Sequence, residues 1–180
     1  VGITESDWES WGEMEELFQA GKVKNLGISN VNLAQLVEIY EKSHVKPTFV
    51  QNRCFAEMRL DKEIREFCNK NGVFYQGFSL LTANWRFLAG EVQQPEGRNV
   101  PQLRFSEEDS NTHLHREVKN LLEVTGKTIQ QVVFRFAKQV GIIPVIGTRS
   151  PAHMKLDLDI QDFFLTDQQV RTLENIAFLS

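Results

Sequence analysis

A parallel α/β fold is predicted by three features of this chain. Four short apolar runs recur along it: GKVKNLGISN (21–30), TFVQN (48–52), VFYQGFS (73–79) and IIPVIGTRS (142–150). They are rich in Val, Ile and Phe, and each follows an amphipathic helical stretch, which is how a buried parallel strand reads. Each also stops on polar residues. Ligands of parallel α/β proteins bind beyond the carboxyl ends of the strands. The endings Ser29-Asn30, Gln51-Asn52, Phe78-Ser79 and Gly147-Thr148-Arg149-Ser150 therefore predict one wall of a polar ligand site.

The helices are punctuated by caps. Ser6-x-x-Glu9 has the form of a capping box opening a helix with Trp8, Trp11, Glu15 and Phe18, which Gly21 ends. Asn32 caps the next, with Leu33, Leu36, Val37 and Tyr40 at helical spacing. Asp61 caps a third that turns Ile64, Phe67 and Cys68 inward and stops at Asn71-Gly72. Thr128-x-x-Gln131 opens a helix carrying Val132, Phe136 and Val140 before Gly141, and Thr166-x-x-Gln169 opens the last, with Val170, Leu173 and Ile176. Helix and strand alternate, the signature of parallel βα units. Only Asn84 to Thr112 breaks the rhythm. It holds Pro95, Gly97, Pro101 and several acidic residues with little periodicity, and reads either as a flap over the ligand face or as an unstructured insertion. Trp85, Phe87 and Phe105 favour the flap.

Ser29, Asn30 and Gln51 offer neutral donors and acceptors, the inventory that holds a planar carboxamide. Gly147 permits close backbone approach, Ser150 can cap, and Pro151 fits the first turn of a helix, so the turn between them offers backbone N–H groups to an anion. Net charge is −4, with 24% of residues charged and no basic block, which argues against a dedicated nucleic-acid surface. Cys54 and Cys68 lack CxxC spacing and read as buried apolar thiols in a reducing compartment. The sequence has no signal-peptide pattern, no run of 18 apolar residues and no lipidation motif, so a cytoplasmic protein with no membrane partner is expected. The chain starts with Val1, not Met, and reads as processed or truncated.

GKVKNLGISN, then KPTFVQNRCF, NKNGVFYQGFSLLTAN and VGIIPVIGTRSPAHM, taken in order, resemble the C-terminal half of an aldo-keto reductase from about Trp8 to the C-terminus. The resemblance implies a (β/α)8 TIM-barrel fold of which this chain, one partial domain over 1–180, supplies about the C-terminal four βα units, a half-barrel. It also implies an oxidoreductase that uses NADP to reduce aldehydes or ketones. Ser29, Asn30 and Gln51 would grip the nicotinamide amide. Phe78 falls where many members stack a Tyr on the nicotinamide. Ser79, Leu81 and Thr82 would approach the pyrophosphate, the turn of Gly147, Thr148, Arg149 and Ser150 would bind phosphate, and Arg149 would pair with the 2′-phosphate. The family's acid–amide pair near the adenine is replaced by Leu156-Asp157.

The family's catalytic Asp, Tyr, Lys and His belong to the first four strands, so the resemblance assigns no catalytic residue to this chain. The residues agree. Tyr40 lies late in a helix, Tyr75 lies within a strand, and His44, His113, His115 and His153 fall on helices or loops with no pattern tying them to a metal or a triad. Two readings stay open: the cofactor-binding half of a carbonyl reductase, or a non-catalytic half-barrel that binds a nucleotide or a partner. A (β/α)8 barrel takes about 250 residues, so the chain is expected to self-associate or to meet a missing N-terminal half.

Overall fold

The computed structural model describes residues 2–84, 87–88 and 113–179, the side chain of His115 excepted. The elements run α1 (Glu5–Gln19), β1 (Gly27–Ser29), α2 (Leu33–Lys42), β2 (Phe49–Arg53), a 3-10 turn (Ala56–Met58), α3 (Lys62–Asn71), β3 (Phe74–Phe78), α4 (His113–Thr125), α5 (Ile129–Gln139), β4 (Ile142–Val145), α6 (Pro151–Leu158) and α7 (Asp167–Glu174). The strands form one sheet in the order β1-β2-β3-β4, and every pairing is parallel. All four expected strands are present.

Burial alternates along the strands. Val50, Asn52, Tyr75, Gly77 and Ile142 are buried, and most of them join a core with Leu36 of α2, Ile64 and Cys68 of α3, and Val132 and Phe136 of α5. Their neighbours Gln51, Arg53, Gln76, Phe78, Ile143 and Val145 are half-buried or exposed. The expectation of fully buried strands is corrected here: among the described residues only one face of the sheet is covered. A strand apolar on both faces is composed for two covered faces, and Phe74, Ile143 and Val145 lie uncovered at 54%, 43% and 41% exposure. Gly77 belongs to the packed face. A Cβ there would lie 2.7 Å from Cys54 Sγ and 2.7 Å from an Ile142 methyl.

Several local expectations also change. Helix α1 is capped by Thr4 and not by Ser6: the Asp7 N–H donates to Thr4 Oγ1 at 3.2 Å while Thr4 N–H donates to the Asp7 carboxylate at 2.9 Å. Ile3 and Trp8, on either side of that cap, pack on one cluster with Trp11, Leu26 and Ile39, a hydrophobic staple that fixes the earlier start. The boxes at Asn32/Gln35, Thr128/Gln131 and Thr166/Gln169 form as read. Among the described residues two helices, not one, join β3 to β4, because α4 precedes α5. The flap-or-insertion question for 84–112 lies outside the described residues apart from Asn84, Phe87 and Leu88. Of these, Asn84 is buried and staples the turn after β2, accepting from Ala56 N–H at 2.7 Å and donating to Cys54 O at 2.9 Å.

The carboxylate of Glu174 ties α7 to α3, accepting from Lys62 Nζ at 2.7 Å and Arg65 Nη2 at 2.8 Å. Burial raises the pKa of this carboxyl, and the two cations outweigh burial, leaving it below its ordinary value. A depressed folded pKa contributes stability above the unfolded value and loses it as pH falls through the folded one. Glu174→Gln is therefore expected to flatten the acid limb of the stability curve below about pH 4.5, measured by urea melts across pH. An unchanged acid limb would contradict this.

Candidate functional site

Because all four strands run parallel in sequential order, their C-terminal ends lie along one edge. At β1, Ser29 Oγ donates to Gln51 O at 2.6 Å and Asn30 N–H donates to the same carbonyl at 3.0 Å. Gln51 in turn donates through Nε2 to Gln76 Oε1 at 2.8 Å. Ser29, Asn30 and Gln51 thus meet as expected, with a refinement. The Ser29 hydroxyl proton, the Asn30 backbone N–H and one Gln51 amide proton are already engaged, so the donors left for a ligand are the Asn30 side-chain amide and the second Gln51 proton.

Two residues just past strand ends sit in the left-handed region, Asn30 at φ 57° and Ser79 at φ 58°. Asn tolerates this conformation and Ser much less so, at a cost of about 1–2 kcal/mol. Strain of this kind collects at ligand sites. Phe78 pairs with Arg53 on one side and Val145 on the other, so its ring lies between the ends of β2 and β4. Leu81 is half-buried and Thr82 exposed in the turn that follows Ser79.

Beyond β4, Gly147 and Arg149 are exposed, and among the described residues nothing beyond Gly147 and its chain neighbours lies within 4 Å of where a Gly147 Cβ would stand. Ser150 caps α6, accepting from His153 N–H at 3.4 Å, while its own N–H donates to Thr148 Oγ1 at 3.3 Å. Pro151 opens the helix. The turn therefore forms as the sequence predicts, with Arg149 outside any ion pair among the described residues. No group of His, Cys, Asp and Glu able to hold a metal ion occurs among the described residues, and no described helix is long and apolar enough to cross a membrane.

Sequence reasoning missed the residues beneath this edge. Asn52, 5% exposed, accepts from Val31 N–H at 3.1 Å and donates to Val31 O at 2.7 Å and to Asp61 Oδ2 at 2.8 Å. It pins the backbone next to Asn30. Asp61 occupies the N-cap position of α3, as the sequence suggested, but its side chain makes no cap bond; its carboxylate is taken by Asn52 and by the Tyr75 hydroxyl at 2.8 Å. Asp61 ends a left-handed run, Arg59, Leu60 and Asp61 at φ 49°, 53° and 56°. The run persists because Arg65 holds its carbonyls, donating to Leu60 O at 2.8 Å and Arg59 O at 3.4 Å. The alternating burial of β2 could have revealed Asn52, since a polar residue in register with Val50 must find partners.

Tyr75 is buried on the helix-covered face, and its hydroxyl also lies 3.3 Å from Cys54 Sγ. Burial pushes its phenol far above the ordinary range, reinforced by Cys54 and Asp61. Burial likewise lifts the Cys54 thiol to about 11 and the Cys68 thiol to about 12. All three groups stay neutral, and both cysteines are the inert buried thiols that the sequence suggested.

Comparison with known proteins adds the family context. Residues 4–177 match the model of the Aldo/keto reductase family. The NAD(P)H-dependent D-xylose reductase I,II of Candida tropicalis is 29% identical over 171 residues, covering 95% of this chain and 48% of the relative. An aldo-keto reductase solved in complex with NADPH superposes with a TM-score of 0.74 at 22% identity, over 94% of this chain and 47% of that one. A Bombyx mori aldo-keto reductase in complex with NADP gives 0.72 at 19% identity, over 93% and 49%. These two likenesses bear on fold. The chain spans about half the length of the curated relatives it matches.

Proposed function

The chain belongs to the aldo/keto reductase family, and we propose that it carries the cofactor-binding half of an NADP-dependent oxidoreductase that reduces aldehydes or ketones. The observation that carries this reading is the single edge along which Ser29, Asn30, Gln51, Phe78, Ser79 and the Gly147–Ser150 turn follow one another. Asn30 and Gln51 hold the nicotinamide carboxamide, Phe78 stacks on the ring, and Ser79, Leu81 and Thr82 line the pyrophosphate. Thr148, Arg149 and Ser150 receive the 2′-phosphate, Arg149 through its planar fork. When bound, NADPH supplies the hydride. The residues named here bind or orient; none of them supplies a proton.

The pattern of one covered and one uncovered sheet face supports a half-barrel of four βα units within a (β/α)8 fold, the remaining strands coming from a preceding half or from a second copy. On this reading the 84–112 segment is an insertion at the ligand face. Arg149→Ala is expected to weaken NADP more than NAD by about 1.5–3 kcal/mol, the scale of a lost charged hydrogen bond, as read by quenching of tryptophan fluorescence. Equal losses for both nucleotides would remove Arg149 from the site.

A second reading, a non-catalytic half-barrel that binds a nucleotide or partner, is favoured by one observation: the described open face bears no Tyr, Lys, His or carboxylate. Both readings expect assembly. Among the described residues, edge strands β1 and β4 are each paired on one side only, and unpaired parallel edges with an uncovered apolar face seek partners. Sedimentation of the chain is expected to give dimers or larger species. A monodisperse, cooperatively folding 20.7 kDa monomer would contradict the half-barrel.

A further inference from the structure

We infer that the carbonyl substrate carries a carboxylate and that Arg53, at the end of β2, receives it; the inference rests on reading this edge as a nicotinamide site. Arg53 is exposed and, by strand alternation, shares the open face with Phe49 and Gln51. It is the one charged side chain on the described strands of that face, where the other positions hold Gly, Ser, Gln and apolar residues. Among the described residues it has no carboxylate partner. Its recorded contact is the Phe55 ring, whose centroid lies 5.2 Å from the guanidinium carbon.

Position decides which anion it meets. Arg53 is in register with Phe78, so its backbone stands one strand spacing, about 4.8 Å, from that of the residue whose ring is assigned to stack on the nicotinamide. The Gly147–Ser150 turn follows β4, two strands and roughly 10 Å across, and it has its own cation in Arg149. The two cations therefore divide the work: Arg149 serves the cofactor phosphate, and Arg53 serves a group beside the reacting carbonyl. A guanidinium that loses water when a ligand covers it is costly unless an anion pairs with it. Its planar fork matches a carboxylate through two parallel hydrogen bonds. The substrate class is an oxo acid or an aldehyde acid. The competing source of the same anionic contact is the cofactor's pyrophosphate.

The test compares 4-carboxybenzaldehyde with its methyl ester on the 180-residue chain saturated with NADP, by ligand-observed NMR titration. The acid is expected to bind about tenfold or more tighter than the ester, the scale of one charge-assisted hydrogen bond. Arg53→Met should abolish that preference, Arg53→Lys should keep part of it, and NADP affinity should stay within about twofold in both. Equal binding of acid and ester would overturn the inference. So would a preference that survives Arg53→Met, and if NADP alone then weakens, Arg53 belongs to the pyrophosphate. If the wild-type chain binds no NADP, the nicotinamide reading fails, and the same comparison on the nucleotide-free chain decides Arg53: an Arg53-dependent preference for the acid supports it, and none overturns it.

Discussion

Incubated with NADPH and a panel of aldehydes, ketones and quinones, the 180-residue chain is expected to show no hydride transfer at enzymatic rates. Carbonyl reduction needs a group that protonates the developing alkoxide, and general acid catalysis is worth roughly 10²–10⁴-fold. The two tyrosines are both engaged away from the open face. Tyr75 donates to Asp61 on the covered side, and Tyr40, in α2, donates to Asn71 O at 3.4 Å beside α3. Orienting the carbonyl over the ring is worth up to about 7–11 kcal/mol in a complete site, and one wall supplies only part of that. The assay follows absorbance of the reduced nicotinamide. Robust turnover that vanishes in Tyr40→Phe or Tyr75→Phe would show that the strand ends have been misassigned.

The largest effect on folding is expected at Asn52. Asn52→Ala removes its bonds to Val31 N–H, Val31 O and Asp61, stranding three polar partners beneath the ligand edge. An unmade buried hydrogen bond costs about 1–3 kcal/mol. Because water can reach some of these groups, the total expected is about 3–5 kcal/mol, well below the sum of three separate maxima. Denaturant melts should show a lower midpoint at an unchanged slope. Asn52→Asp keeps the acceptor for Val31 N–H but faces the Asp61 carboxylate, and it is expected to be as destabilising at neutral pH and milder in acid. A loss under about 1 kcal/mol for Asn52→Ala would mean that the network is dispensable.

Local signals explain what the sequence made legible. The strands were readable because Val, Ile and Phe runs bounded by Gly and polar pairs admit few alternatives, and of the six caps expected, side-chain cap bonds form at Asn32, Thr128, Ser150 and Thr166, while Asp61 takes the cap position without the bond and Thr4 replaces Ser6. Helix α4 carried its own signal in Leu114, Val118, Leu121 and Leu122, of which Val118 and Leu121 are buried. Its nearness to a Pro- and acid-rich stretch masked that period. Asp61 was misread because a cap and a core carboxylate look alike until Asn52 and Tyr75 are brought to it across the sheet. The same holds for Thr4, where two overlapping box motifs compete and packing of Ile3 and Trp8 on the Trp11 cluster selects one. The uncovered face was also beyond local reading, since period-2 burial depends on what covers a strand and the composition alone suits two covers.

A nucleotide-binding wall should show itself when the ¹⁵N-labelled protein is titrated with NADP. Amide shifts are expected to be confined to the C-terminal strand edge: Ser29 and Asn30, Gln51, Phe78 to Thr82, and Gly147 to Ser150, with Tyr75 and the helices beneath it undisturbed. Saturation with shifts elsewhere, on α1 or α7 for example, or no shifts at millimolar nucleotide, would contradict it.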